Sequence, residues 1–186
     1  MRELPVELYR AAQVRELDRI AIEERGIPGY TLMSRAGEAA FTLLRQRWPD
    51  ARRIVVVCGG GNNGGDGYVV ARLARQAGLE AQVLTLADPA NLRGDAQTAW
   101  RDAQAAAVPI APFTVAALAD AELLVDAILG TGLERDVRGD WREAIDAMNA
   151  HPADRFALDI PSGLHADTGA ILGAAGRAAA TITFIG

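Results

Sequence analysis

The run Ile54-Val55-Val56-Val57 leads straight into Cys58-Gly59-Gly60-Gly61-Asn62-Asn63-Gly64-Gly65-Asp66-Gly67, and no other stretch limits the fold as tightly. β-Branched residues without polar alternation suit a parallel strand covered on both faces. The glycines that follow read as a sharp turn. A helix is expected from Tyr68 to Gln76, with Val69, Val70, Leu73 and Ala74 on one stripe and Gly78 at its end. Such a turn leaves bare N–H groups at a helix N-terminus, which suits a phosphate or another anion.

Gly59, Gly61 and Gly64 fit the dinucleotide spacing G-x-G-x-x-G, a weak signal by itself, and no Lys-Ser or Lys-Thr follows to make a Walker loop. Asn62, Asn63 and Asp66 are the unusual part. Singly, an Asn there is explained by left-handed turn geometry and Asp66 by a helix cap. The whole run Asn-Asn-Gly-Gly-Asp-Gly favours a site.

Two more strands end in the same manner. Leu123 to Ile128 contains Asp126 and opens into Gly130-Thr131-Gly132; Phe156 to Ile160 contains Asp159 and ends in Pro161-Ser162-Gly163. A carboxylate in so apolar a run is costly unless it is paired, hydrogen-bonded or bound to a cation. Each Asp alone reads as a cap on the next turn. With Asp66 they fall together where open α/β sheets bind ligands.

The remaining chain supplies the frame. A helix is expected from Ala11 to Glu24, with Val14, Leu17, Ile20 and Ala21 as its apolar stripe and Gln13 and Asp18 on other faces, solvated, capping or within reach of a neighbour. A second runs from Thr31, as N-cap, to Trp48. Both read as core packing and lid material with no chemistry of their own. A strand from Ala81 to Leu86 precedes Asp88, near where a dehydrogenase holds a ribose but inside the turn Ala87-Asp88-Pro89. A helix over 93–107 follows, then a break at Pro109 and Pro112 and a short helical piece near Thr114 to Leu118. Trp141 to Asn149 is a helix and Ala180 to Ile185 a strand. Strands and helices alternate throughout, which makes a three-layer, Rossmann-like α/β domain: a mainly parallel sheet with helices on both faces. Residues 1–186 read as one domain, cut short at its C-terminal end.

With 24 acidic against 19 basic residues the net charge is −5, so no nucleic-acid surface is expected. The one cysteine, Cys58, reads as buried, and the two histidines, His151 and His165, lack metal-ligand spacing. No apolar signal core stands at Met1 to Pro5 and no run suits a membrane span, so a cytoplasmic chain is expected.

These residues resemble the NAD(P)H-hydrate epimerase family, the YjeF N-terminal domain, which also includes an apolipoprotein A-I-binding protein. The resemblance runs over nearly the whole length. Gln13 to Asp18, Gly26-Ile27-Pro28-Gly29, Leu32-Met33 and Ala36-Gly37 resemble its opening signature. The run 59–67, Val125-Asp126-Ala127 with Gly130-Thr131-Gly132, and Asp159 to Gly163 resemble its three loops. Two departures stand out: Ala179 occupies a position where an Asp is common, and a lysine-bearing loop and further strand are absent after the last strand.

The resemblance implies a repair isomerase. Its substrates are NADH hydrate and NADPH hydrate, with a hydroxyl on carbon 6 of the nicotinamide ring, and it interconverts their R and S forms. A partner NAD(P)H-hydrate dehydratase, fused or separate, accepts only S. Carried over, Asn62, Asn63, Gly64, Gly65 and Asp66 would bind the substrate, as would Gly130, Thr131, Gly132, Leu133, Glu134, Arg135 and Asp136. Asp159 would contact the reacting part and serve as the catalytic group. Asn63, Asp126 and Ser162 would bind a potassium ion, which would explain the buried charge of Asp126. Asp66 should then turn from the phosphate onto loop amides. A homodimer is implied. The alternatives are a binding module without turnover and an NAD(P)-dependent dehydrogenase.

Overall fold

The computed structural model describes residues 9–184; the expectations at Met1 to Pro5 and the end of the last strand at Ile185 lie outside them. β1 (Arg53–Cys58) forms where the apolar run placed it and sits inside a six-stranded sheet of order β3-β2-β1-β4-β5-β6. Its partners are β2 (Glu80–Thr85) and β4 (Leu123–Ala127); β3 (Ile110–Pro112) lies outside β2, and β5 (Asp154–Leu158) and β6 (Ala180–Ile182) outside β4. Every pairing is parallel. Alternate residues of β1 serve opposite faces. Ile54, Val56 and Cys58 join a core with α2 (Gly29–Arg47), α3 (Asn62–Gln76) and α4 (Gly94–Ala105). Val55 and Val57 join a second core with α5 (Gly139–Ala150). Burial on both sides is why the strand carries no polar alternation.

Four expectations are corrected. β3 pairs with β2 although Pro109 precedes it and Pro112 is its last residue. It is the edge strand, where a residue without an N–H leaves no ladder bond unmade. α2 begins at Gly29 with Pro28 as its N-cap, so Thr31 lies inside the helix. A Cβ on Gly29 would stand 2.2 Å from Asp95 Oδ2, so a glycine lets that carboxylate approach the helix N-terminus. Asn62 to Gly67 is not a turn but the opening of α3, capped by Gly61. Its glycines are close-packing residues: a Cβ on Gly64 would meet the Gly59 carbonyl oxygen at 2.2 Å, and one on Gly65 the Met33 side chain at 2.6 Å. None of these residues has a positive φ.

The fourth concerns the first helix. α1 (Ala11–Arg19) passes into a π-helical turn over Ile20–Glu24, and only Ala11 of the two is buried. Val14, Leu17, Ile20 and Ala21 are half-exposed, so this helix is not core. α1 is tied at its start, where the Ala11 N–H donates to Asp167 Oδ1 at 2.8 Å. In α2 the buried stripe is Met33, Gly37, Ala40 and Leu44, with Gly37 against Val69 of α3.

Candidate functional site

The strand order reverses between β1 and β4. In parallel α/β sheets the carboxyl ends of such neighbours diverge and leave a crevice. Here the crevice is a cavity of about 1330 Å³. That exceeds the roughly 300–1,000 Å³ of pockets for drug-sized ligands and is ample for a dinucleotide. Gly60, Gly61, Asn62, Asn63 and Asp66 line it from the β1–α3 side. Ile128 to Arg135 line it after β4, and Asp159 after β5. α1 and α2 roof it with Val14, Asp18, Leu32 and Met33 among others, and Trp141 reaches in from α5.

The expected site residues separate into two groups. Asn62, Asn63, Asp66, Gly130, Thr131, Gly132, Leu133, Glu134, Arg135 and Asp159 all border the cavity. Gly64 and Gly65 do not: both are buried in the packing of α3 against the sheet and α2. Asp136 also stands apart, exposed and 3.2 Å from Arg138. Asp88 is exposed and accepts from the Ala90 N–H at 2.9 Å, a turn cap with no place in the cavity. Cys58 is buried, and burial, then Asp66, raises its thiol far above the ordinary range. His151 and His165 accept local backbone N–H bonds.

Asp159 has a left-handed backbone, φ 66°, which disfavours a residue with a Cβ. Such strain costs about 1–3 kcal/mol and collects at functional sites. It is held by two bonds: its N–H donates to the Ile182 carbonyl at 2.7 Å, and its Oδ2 accepts from the Thr131 N–H at 2.8 Å. The turn thereby aims the carboxylate between the β4 and β5 loops. Burial pushes its carboxyl above the usual carboxylate range, and the Thr131 hydrogen bonds pull the other way.

Asp66 is neither a helix cap nor bonded to loop amides; no hydrogen bond reaches its carboxyl among the described residues. Burial first, then the charges of Asp159 and Asp18, push it up to about 8. At neutral pH it is a carboxylic acid that can donate a proton. Asn63 is 8% exposed, and neither atom of its amide finds a partner among the described residues.

Asp126 turns to the opposite side of β4 from Ala127 and is almost fully buried. It accepts the Ser162 N–H at 2.9 Å, the Ser162 hydroxyl at 2.5 Å and the Ile128 N–H at 3.3 Å. Those three bonds offset much of the burial that raises its carboxyl, so its charge does not require a cation. The Ser162 hydroxyl also accepts from the Leu129 N–H at 2.9 Å. The Asp126–Ser162 pair and Asn63 both meet the Leu129–Gly130 segment.

Asp18 was not legible as a site residue. The signal was an i, i+4, i+8 line, Val14, Asp18 and Ile22, all of which face the cavity. Leu17, Ile20 and Ala21, which share an apolar stripe with Val14 in the sequence, do not border the cavity.

The family model for the YjeF-related protein N-terminus matches residues 29–186. The chain belongs to this YjeF-related family. Among curated relatives it is 41% identical to the NAD(P)H-hydrate epimerase of Limosilactobacillus fermentum, over 94% of this chain and 83% of that protein. It is 46% identical to the bifunctional NAD(P)H-hydrate repair enzyme Nnr of Coxiella burnetii, over 96% of this chain but only 36% of that protein. The YjeF-related chain thus spans about a third of the length of the bifunctional relatives it matches. The crystal structure of the yeast protein ynu0 superposes on it with a TM-score of 0.86 at 19% identity, covering 96% of this chain and 80% of that one, a likeness of fold. No helix among the described residues is long and apolar enough to cross a membrane.

Proposed function

We propose that this chain is an NAD(P)H-hydrate epimerase acting on carbon 6 of the hydrated nicotinamide ring of NADH hydrate and NADPH hydrate. The observation that carries the reading is the convergence of Asn63 and Asp66 from the start of α3, Thr131 from the loop after β4 and Asp159 from the end of β5 on one cavity large enough for a dinucleotide. The names of the L. fermentum and C. burnetii relatives support the same substrate.

The substrate's hydroxyl is on a carbon next to the ring nitrogen, so it is a hemiaminal. Inverting that carbon requires a bond to it to break and reform from the other face. The N-terminus of α3 faces the cavity with unspent N–H groups and suits the pyrophosphate. Asp66, protonated at neutral pH, is placed to give a proton to the departing oxygen. Asp159, fixed by Thr131, is placed to face the positive charge that develops on the ring and to take a proton back.

Asn63, Asp126 and Ser162 would hold a potassium ion. They offer amide, carboxylate and hydroxyl oxygens, which suit a hard cation, and the Asn63 amide has no other partner. When bound, the ion would supply a fixed positive charge to the site. The reading also includes a cytoplasmic setting, a homodimer, which light scattering in solution checks, and a dehydratase that acts on the S product.

The test is a coupled assay. An S-specific dehydratase alone should consume only part of an NADPH hydrate mixture quickly. Adding this chain in potassium buffer should let it consume the remainder, and replacing potassium by tetramethylammonium should slow that phase. An R fraction that persists at the spontaneous rate would count against epimerisation; an equal rate in both buffers would count against potassium.

A further inference from the structure

Asp18 of α1 borders the same cavity as Asp66 and Asp159, and no hydrogen bond or ion pair reaches it among the described residues. The three carboxyls lie within electrostatic reach of one another. The other charged groups on the cavity wall are Arg15 of α1, Arg35 of α2, Asp95 of α4, and Glu134 and Arg135 of the β4 loop. None of the arginines is ion-paired with the three carboxyls. Half-buried carboxyls without an ion-paired counter-charge are costly to ionise together in the empty protein. Beside it stands Asn63, more than nine-tenths buried, facing the cavity with both amide atoms unpartnered. The carboxyls call for a ligand that brings positive charge, and the Asn63 amide for a polar or ionic partner beside it.

We propose that Asp18 is a third functional carboxyl of the site, which with Asp159, and with Asp66 once it has given up its proton, forms an anionic wall matched to a positively charged nicotinamide ring. The inference rests on the epimerase reading above and extends it to α1 and to the route of the reaction. In that route the C6–O bond breaks with its electron pair on oxygen. The oxygen takes a proton from a carboxyl group and leaves as water, and the ring-nitrogen lone pair forms a C=N bond. Water then returns to C6 from the other face and gives a proton back to a carboxylate. Atoms and charge balance without any outside reactant. The intermediate carries a positive ring, which the wall stabilises more than the neutral substrate. Burial, then Asp159, pushes the Asp18 carboxyl upward, the sign expected for a carboxyl without a counter-ion.

The experiment compares NAD+, whose ring is positive, with NADH, whose ring is neutral, by calorimetric titration. The adenosine and pyrophosphate portions are shared, so the ratio of affinities isolates the ring. The wild type is expected to favour NAD+, and Asp18→Asn to lower that preference about tenfold with little change for NADH. Asp18→Ser should behave likewise, and Asp18→Glu should retain the preference. The melting temperature of Asp18→Asn should not fall, because a repulsion is removed. An unchanged ratio in a folded Asp18→Asn or Asp18→Ser protein would overturn the proposal, as would a wild type without preference. Epimerisation is assayed on the same preparations. An inactive wild type counts against the epimerase reading, while the affinity ratio still decides the role of Asp18.

Discussion

At position 66 a carboxyl group stands in the second turn of α3 with no hydrogen bond to it among the described residues, and it holds its proton up to about pH 8. The unfolded chain gives up that proton near 3.8. Between those values the folded state keeps a proton that the unfolded state has lost, so stability falls as pH rises through that window. Asp159 and Asp18, also pushed upward, add the same sign. Asp66→Asn removes the part that belongs to Asp66. Its melting temperature is expected to exceed the wild type's at pH 8, with a gap that shrinks toward pH 5. A gap that stays constant from pH 5 to 8 would contradict this account of Asp66. The strained φ of Asp159 is a residue-scale cost of the opposite kind, retained where the carboxylate must be aimed.

At the scale of elements, the glycines matter through what they touch. A methyl group on Gly64 would collide with the Gly59 carbonyl, which is backbone and cannot swing aside. Gly64→Ala is expected to destabilise the protein by about 1–3 kcal/mol, seen as a lower urea midpoint. Gly132 is the control, because a methyl group there would have nothing within 4 Å. Gly132→Ala should stay within about 0.5 kcal/mol. Equal midpoints for the two variants would show that close packing is not what position 64 requires. The same contrast explains what was legible. β1 could be read from its own residues, because burial on both faces leaves an unbroken apolar run. The start of α3 could not: its glycines look like a turn, and the groups that demand them, the Gly59 carbonyl and the Met33 side chain, are brought there by the fold. Likewise Thr31 is a good N-cap in isolation, but Asp95 meets the helix at Gly29. β3 was hidden by prolines that an edge position tolerates.

For the whole molecule, strand order does the assembling. Placing β4 beside β1 brings Asn63 and Asp66 of α3, the Gly130–Thr131 loop and Asp159 to one crevice, although they are far apart in the chain. Asp and Asn at the ends of apolar strands announced those loops, because polar groups in such places need a reason. Which of them share a cavity depended on topology, and that put Asp159 on the cavity wall and left the Asp126–Ser162 pair off it. Asp18 depended on more still, since α1 must cross from the start of the chain to the roof of the cavity, where Asp167 tethers its first turn. The central claim is that this cavity epimerises hydrated nicotinamide with Asp159 in contact with the reacting ring. The most direct test is chirally resolved chromatography of R-NADPH hydrate incubated with the wild type and with Asp159→Ala, against the spontaneous background. The expected result is rapid R-to-S conversion by the wild type and a loss of about 10²-fold or more in a folded Asp159→Ala variant. A folded wild type no faster than background, or a variant as fast as the wild type, would contradict it.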